Sequence, residues 1–218
     1  MFDDVLVIYR TFESVDITGR FDEEVVLSLP ASVEFLCHNG AGYDQIDVHA
    51  CSKRGIKVSN TPNVVNDSTA DTAMFLILGA LRRLNVPMTT LRDGDWRGHR
   101  QPPLGHDPEG KTLGILGMGG IGRNLSKKAE AFGMRIIYHN RCRLGKDRAG
   151  TAEYVTFEDL LEQSDVVSVN LPLNVSYLFF LRNGLFLPQI DTSGRTCLSL
   201  GRLSGTTESQ YRAAIFQL

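Results

Sequence analysis

The stretch KTLGILGMGGIGRNLSKKAEAFGMRIIYHNRCR, residues 111–143, carries the pattern that decides the fold. An apolar run at 112–116 predicts a buried strand, and the glycines of 117–122 follow the pattern G-x-G-x-x-G. An amphipathic helix is predicted at 121–132, and a second strand is predicted at 134–138. Together these signals predict a strand–turn–helix–strand unit of a parallel α/β sheet.

The glycine-rich turn is typical of dinucleotide binding. In this pattern the first glycine permits the tight turn, the second lets a pyrophosphate approach the backbone, and the third lets the helix pack on the strand. Free N–H groups at the start of the helix then bind the phosphates. Because a strand precedes the turn and a helix follows it, we favour a dinucleotide site over a structural turn. The predicted cofactor-binding residues of this turn are Gly117, Gly119, Gly120, Ile121 and Gly122.

The end of the second strand bears on which cofactor binds. NAD enzymes usually place a carboxylate there for the ribose hydroxyls, but this chain has Asn140, Arg141 and Arg143. The two arginines are suited to a 2′-phosphate, because a guanidinium forms planar, charge-assisted hydrogen bonds. The alternative is that both are solvated loop residues. The sequence predicts NADP(H) in preference to NAD(H), with NAD(H) also possible.

Strands and helices alternate in the rest of the chain. Before the glycine motif, apolar runs at 5–9, 33–37 and 56–59 predict strands. After it, a helix is predicted at 157–163 and a strand at 166–169. This alternation predicts the α/β class with a doubly wound, Rossmann-type parallel sheet.

The division into domains follows from one long helix and one segment rich in helix breakers. The helix, at 68–84, is apolar nearly all round, which predicts burial between layers or domains. Glycine and proline are dense at 93–110, which predicts a linker. We therefore place a first domain at 1–92, including the helix, and a second at 111–175. The regular period weakens at 176–218, where residues 177–181 could form a strand but residues 192–210 have neither a strand nor a helix period.

Composition excludes several other classes of function. The 218 residues carry a net charge of -2, so there is no basic excess to bind nucleic acid. The four cysteines are scattered without metal-ligand spacing, so we expect reduced thiols and no metal site. No apolar run reaches the roughly 20 residues that span a bilayer, and the acidic start does not fit a signal peptide. We expect a cytoplasmic protein that does not bind membranes.

Several motifs occur together in an order that resembles a known family. They are NGAGYDQID at 39–47, VSNTP at 58–62 and ADTA at 70–73, followed by the nucleotide segment through LPLN at 171–174. In this order they resemble the D-isomer-specific 2-hydroxyacid dehydrogenases, especially the glyoxylate/hydroxypyruvate reductase branch. The resemblance implies a substrate-binding domain, of the flavodoxin-like type, and a nucleotide domain on either side of a cleft. It also implies a homodimer that acts on a small 2-keto or 2-hydroxy acid.

The resemblance also assigns roles to residues outside the glycine motif. It implies that Gly40, Ala41 and Gly42 present backbone N–H groups to the substrate carboxylate, and a glycine-rich turn after a strand fits an anion-binding loop. The alternative is a plain structural turn. Thr72 would lie near the nicotinamide, and Leu171 and Pro172 would flank the adenosine.

The chain departs from the family pattern after Asn174. The family's catalytic arginine, glutamate and histidine are expected beyond that point, and no residue here has their flanking motifs, so the catalytic residues stay unknown. We expect both domains to be incomplete and the chain to be truncated at both ends. Residues 176–218 are interpreted as a divergent tail, and a shifted reading frame or a retained intron is our hypothesis for it.

Two functions follow from these observations. The first is an NAD(P)H-dependent reductase that interconverts a small 2-keto acid and its D-2-hydroxy acid, as the resemblance implies. The alternative is a catalytically inactive NAD(P)-binding fragment or interaction module that lacks the catalytic Arg, Glu and His.

Overall fold

The structure, a computed structural model, describes residues 4–95 and 104–171, together with the backbone of strands at 186–190, 196–200 and 213–216. The chain divides into two units, Met1–Val65 and Asn66–Leu218. Both units contain parallel sheets with helices, so the predicted α/β class with a Rossmann-like sheet is confirmed.

The first unit is built on a three-stranded parallel sheet in the order β1-β2-β3. Its strands are β1 (Val7–Thr11), β2 (Phe35–Asn39) and β3 (Lys57–Ser59), and its helices are α1 (Val15–Thr18), α2 (Glu23–Ser28) and α3 (Val48–Lys53). The three predicted strands therefore exist, with starts shifted by one or two residues along the chain. The three short helices were not predicted, because four to six residues are too few to show a helical period.

Polar side chains fix the ends of these short helices. The carboxylate of Asp22 accepts a hydrogen bond from the N–H of Val25 at 3.0 Å, which caps the start of α2. At the other end of α2, the Arg54 guanidinium donates to the carbonyls of Val26, Leu29 and Pro30. These bonds satisfy carbonyls that a helix end otherwise leaves without partners.

The second unit contains a five-stranded parallel sheet in the order β10-β7-β4-β5-β6. Its strands are β4 (Thr112–Leu116), β5 (Arg135–His139), β6 (Glu153–Tyr154), β7 (Val166–Val169) and β10 (Ala213–Phe216). A two-stranded antiparallel sheet pairs β8 (Phe186–Ile190) with β9 (Thr196–Leu200). The helices are α4 (Asn66–Leu81), α5 (Asn85–Arg92), α6 (Gly120–Ala131), α7 (Lys146–Ala149) and α8 (Phe157–Gln163).

Helices cover both faces of this sheet because its strands are apolar on both sides. Leu113 and Ile115 belong to a core shared with α4 and α6, while Leu116 belongs to a second core with Leu160 of α8. Gly114 faces α8, where a Cβ would collide with the Ser164 hydroxyl. The predicted doubly wound arrangement is therefore present, and the crossover direction changes between β4 and β7.

Helix α4 belongs to the second unit, whereas the sequence placed it with the first domain. Ala73, Met74 and Ile77 pack in one core with Leu125 and Ala129 of α6. Lys128 of α6 also pairs with Asp67 at 2.9 Å and with Asp71 at 2.7 Å. The helix begins at Asn66 rather than at residue 68 and ends at Leu81 rather than at 84.

Helix α4 is predicted to be buried between layers or domains, and in the structure one of its faces is buried while Phe75 is 66% exposed. The prediction that 192–210 has no strand is wrong, because Thr196–Leu200 forms β9. That strand is defined by its pairing with β8, and such a pairing cannot be predicted from the sequence of a five-residue segment alone. The possible strand at 177–181 lies outside the described residues. In the part of the chain that the structure describes, no helix is long and apolar enough to cross a membrane.

Candidate functional site

The glycine turn lies at the point where the sheet changes direction. Gly117 follows β4 with a φ of 99°, and Asn170 follows the neighbouring β7. A Cβ at position 117 would stand 2.5 Å from the carbonyl oxygen of Asn170, so only glycine fits between the two strand ends. Ligands of open α/β sheets bind at this kind of switch point, outside the carboxyl ends of the strands.

The other three glycines of the turn differ in their surroundings. A Cβ at Gly122 would stand 2.5 Å from the Gly117 carbonyl and 3.0 Å from Ile115, so this glycine brings helix and strand together. A Cβ at Gly120 would overlap the Asn66 side chain, a contact between the starts of α6 and α4 that the sequence did not reveal. Gly119 alone of the four faces open space, with no atom of the described residues within 4 Å of its Cβ position.

Open space at Gly119 is what a phosphate site at a helix start requires. Gly119 is the N-cap residue of α6, and Ile121 lies half-buried in the first turn. The first N–H groups of a helix have no partners within it, and the helix dipole favours an anion at that end. The residues present therefore fit a pyrophosphate that approaches the backbone at Gly119.

Asn140 holds the glycine turn from the end of β5. Its side-chain oxygen accepts a hydrogen bond from the N–H of Met118 at 2.7 Å. Its backbone carbonyl accepts one from the hydroxyl of Tyr154 at 3.3 Å, and the Arg143 guanidinium lies 5.9 Å from the centre of the Tyr154 ring. Arg141 is exposed on the same loop. Tyr154 was not predicted as part of this site, because it joins the loop only through the pairing of β5 with β6.

The remaining residues predicted to contact the cofactor lie in different surroundings. Leu171 is half-buried, and its Cδ2 atom would stand 3.1 Å from a Cβ at Gly117, so it flanks the turn. Thr72 is exposed on α4, where its hydroxyl donates to the Ser68 carbonyl at 3.1 Å. Pro172 lies outside the described residues. Leu171 therefore lies beside the glycine turn, whereas the bond of Thr72 is to its own helix.

The predicted carboxylate loop lies in the first unit, at the carboxyl end of β2. Gly40 and Ala41 are half-buried and Gly42 is exposed. Beside the loop is a cleft of about 320 Å³ at the carboxyl ends of all three strands. Its lining residues, several of which carry polar side chains, are Tyr9, Cys37, His38, Asn39, Ser59, Asn60 and Thr61.

His38 is buried beneath this loop, with 2% of its surface exposed. Its Nε2 atom lies 2.9 Å from the Gly42 carbonyl oxygen. Burial lowers the pKa of His38, the hydrogen bond to Gly42 raises it in part, and the nearby Arg10 guanidinium lowers it further. The imidazole is therefore held neutral, and Nε2 carries the proton because a carbonyl can only accept.

Acidification is expected to destabilise the first unit through His38. As the pH falls below about 6.5, the unfolded chain protonates this histidine while the folded chain does not, so the free energy of unfolding falls. The loss is at most about 1.4 kcal/mol per pH unit and ends at the lowered folded pKa. Urea unfolding at pH 7 and pH 5 measures it, with His38→Gln as the control. Equal pH dependence in the two proteins would contradict this assignment.

No cluster of His, Cys, Asp or Glu that could hold a metal ion occurs in the parts of the chain that the structure describes. His139 lies between Tyr154 and Phe157, and its Nδ1 atom lies 3.0 Å from the Val155 carbonyl oxygen. Its role is therefore to pack the end of β5. The catalytic arginine, glutamate and histidine of the resemblance stay without assigned residues.

Known proteins with similar sequences and structures agree on one family. Residues 74–181 match the model of the D-isomer specific 2-hydroxyacid dehydrogenase, NAD binding domain. The chain is 57% identical over 175 residues to 4-methyl-2-oxopentanoate reductase A of Aspergillus oryzae, covering 80% of this chain and 53% of the relative. It is 52% identical over 174 residues to glyoxylate reductase 1 of Saccharomyces cerevisiae, covering 78% and 50%.

A solved structure gives the same result. The crystal structure of a glyoxylate reductase from Paecilomyes thermophila matches with a TM-score of 0.77 and 56% identity, over 80% of this chain and 53% of that one. The chain thus spans about half the length of the curated relatives it matches. The glycine turn at the switch point, the order of the strands and these matches agree, and the chain belongs to the D-isomer-specific 2-hydroxyacid dehydrogenase family.

Proposed function

We propose that this chain takes part in NAD(P)H-dependent reduction of a small 2-keto acid, of the glyoxylate or hydroxypyruvate type, to its D-2-hydroxy acid. The observation that carries the proposal is the glycine turn at the switch point, where Gly119 opens onto free space at the start of α6. The names of the relatives support the substrate class, because glyoxylate and 4-methyl-2-oxopentanoate are both 2-oxo acids. What these two acids share is the carboxylate and the adjacent carbonyl.

In the proposed mechanism each unit binds one reactant. The α6 start and the Gly117–Gly122 turn bind the pyrophosphate, while the first unit binds the carboxylate through the N–H groups of the Gly40–Gly42 loop. The nicotinamide, when bound, supplies the hydride for the keto carbon. Asn140 keeps the glycine turn in position through its bond to Met118. Fixed backbone donors of this kind bind an anion without having to reorganise.

The test of this function is NADPH oxidation, followed at 340 nm, with glyoxylate, hydroxypyruvate or 4-methyl-2-oxopentanoate as the substrate. Steady turnover that depends on the 2-oxo acid is the expected result. Saturable NADPH binding without turnover, at high protein concentration and with all three acids, would contradict the proposed reaction. That outcome would instead match a catalytically inactive NAD(P)-binding protein. A relative of full length serves as the positive control.

We propose NADP(H) as the preferred cofactor over NAD(H). A substitution at Arg141 tests this preference. Arg141→Ala is expected to weaken NADPH binding by about tenfold, because a charge-assisted hydrogen bond to the 2′-phosphate is lost, and to leave NADH binding unchanged. Fluorescence titration of the reduced nicotinamide measures both affinities. Arg148→Ala, at an exposed arginine on the neighbouring α7, is the matched control. Equal loss of NADPH and NADH affinity in Arg141→Ala would refute a contact with the phosphate.

We also propose a homodimer that forms through the nucleotide-binding unit, in a protein located in the cytoplasm. Apolar side chains exposed on α4 and α5 support a surface that a protein partner covers, for example Phe75 at 66% and Leu91 at 49%. Light scattering coupled to size-exclusion chromatography tests the oligomeric state. A mass of one chain at micromolar concentration would contradict the dimer.

A further inference from the structure

The three carbonyl groups of the Gly40–Gly42 loop are all held by partners within the first unit. The Gly40 carbonyl accepts the backbone N–H of Thr61 at 3.0 Å. The Ala41 carbonyl accepts the side-chain amide of Asn60 at 2.8 Å, and the Gly42 carbonyl accepts the Nε2–H of His38 at 2.9 Å. Three consecutive peptide groups are therefore fixed from one side, by residues on or just after β2 and β3.

Fixed carbonyls determine where the N–H groups of the same peptides point. In a trans peptide the C=O of one residue and the N–H of the next point in opposite directions, and the described chain has no cis peptide bond. The N–H groups of Ala41, Gly42 and Tyr43 are thus directed away from Thr61, Asn60 and His38. Among the described residues, none of these three N–H groups has an acceptor in the protein. They form a row of donors suited to an anion.

Packing beneath the Gly40–Gly42 loop restricts rotation of its peptide groups. A Cβ at Gly40 would stand 2.5 Å from Nε2 of His38, so the loop backbone rests directly on the imidazole. At the far end of the loop, the buried Arg10 donates to the Gln45 backbone at 3.3 Å and to its side-chain oxygen at 2.8 Å. Asp44, the acidic group of the loop, is exposed. The orientation of the donors therefore depends on groups that do not touch the anion.

We propose that Asn60 and His38 are positioning residues that keep the N–H groups of Ala41, Gly42 and Tyr43 ready to bind the carboxylate of a 2-oxo acid. This inference rests on the proposed function, because it takes the loop to be the carboxylate site. Loss of either tether frees one peptide to rotate. Binding then requires ordering of the loop, and affinity falls even though no contact with the carboxylate is removed.

Oxamate, a 2-oxo-acid mimic that cannot be reduced, tests the proposal in the whole chain. Titration into ¹⁵N-labelled protein is expected to shift the amide resonances of Ala41, Gly42 and Tyr43. Asn60→Ala and His38→Ala are each expected to weaken oxamate binding by about 5- to 10-fold. His38→Gln, whose amide can donate in place of Nε2–H, is expected to restore most of the affinity. NADPH affinity, which reports on the second unit, stays at the wild-type value.

The outcomes separate this inference from the function on which it rests. One outcome is that the three amides shift in the wild type while Asn60→Ala and His38→Ala bind oxamate as tightly as the wild type. This would overturn the positioning role but not the carboxylate site. No shift at these amides in the wild type would overturn both, and NADPH binding would then show whether the cofactor half of the function survives. Should an alanine variant fail to fold, failure of the folded His38→Gln to bind oxamate near the wild-type affinity would also overturn the inference.

Discussion

Replacement of Gly117 by alanine is expected to lower the free energy of unfolding of the second unit by about 3 kcal/mol and to abolish dinucleotide binding. Two costs contribute. The φ of 99° is unfavourable for any residue with a Cβ. The new methyl group would also stand 2.5 Å from the carbonyl oxygen of Asn170, a backbone atom that cannot move aside as the end of a flexible side chain can. Urea unfolding followed by circular dichroism measures the first effect, and NADPH fluorescence measures the second.

Gly110→Ala separates these two costs. Gly110 has a φ of 75°, also positive, but in the described part of the chain no atom lies within 4 Å of its Cβ position. This variant is expected to lose only about 1 kcal/mol, the cost of the backbone conformation alone. If Gly117→Ala loses no more stability than Gly110→Ala, the close approach of the β4 and β7 ends does not constrain the turn.

Replacement of Gly119 by alanine is expected to have the opposite profile, with at most about 1 kcal/mol lost from the free energy of unfolding and NADPH affinity at least about tenfold lower. The Cβ would enter open space among the described residues, and the N-cap φ of -81° lies outside the left-handed region, so the cost is limited to the weaker N-cap preference of alanine relative to glycine. The same methyl group would occupy the place where a pyrophosphate has to approach the backbone. Isothermal titration with NADPH, together with thermal unfolding, measures the two properties.

Gly79→Ala is the matched control for that experiment. Gly79 lies within α4 and its Cβ position is also free, so alanine is expected to stabilise the helix slightly and leave NADPH affinity unchanged. Wild-type NADPH affinity in Gly119→Ala would refute the phosphate site at the start of α6, whatever the result at Gly117.

The sequence predicted the parts of the fold that repeat a regular pattern. Strand β4 and helix α8 have the predicted bounds, because buried strands and capped helices show their period within a few residues. The G-x-G-x-x-G turn was also found where predicted, after a strand and at the start of a helix. Its roles in cofactor binding stay predictions, as do those of Gly40, Ala41 and Gly42.

Contacts between residues far apart in the chain could not be predicted from the sequence. Nothing in the pattern around Asn66 indicates that its side chain meets Gly120, and nothing near His38 indicates that it supports the carbonyl of Gly42. The grouping of α4 with the second unit has the same origin, since its packing partners on α6 lie about fifty residues further along the chain. Such contacts depend on how the strands are ordered in the sheet, which local pattern does not specify.

The bond between Asn140 and Met118 has a consequence for any attempt to change the cofactor. NAD enzymes use the position at the end of this strand for a carboxylate that accepts the ribose hydroxyls. Here the side-chain oxygen at that position already accepts a hydrogen bond from the backbone N–H of Met118 at 2.7 Å. An aspartate at residue 140 would have the N–H of Met118 as its nearest hydrogen-bond donor, as Asn140 does. Under the NADP(H) preference that we propose, redesign toward NAD(H) therefore begins at Arg141 and keeps Asn140, whose side chain holds the glycine turn.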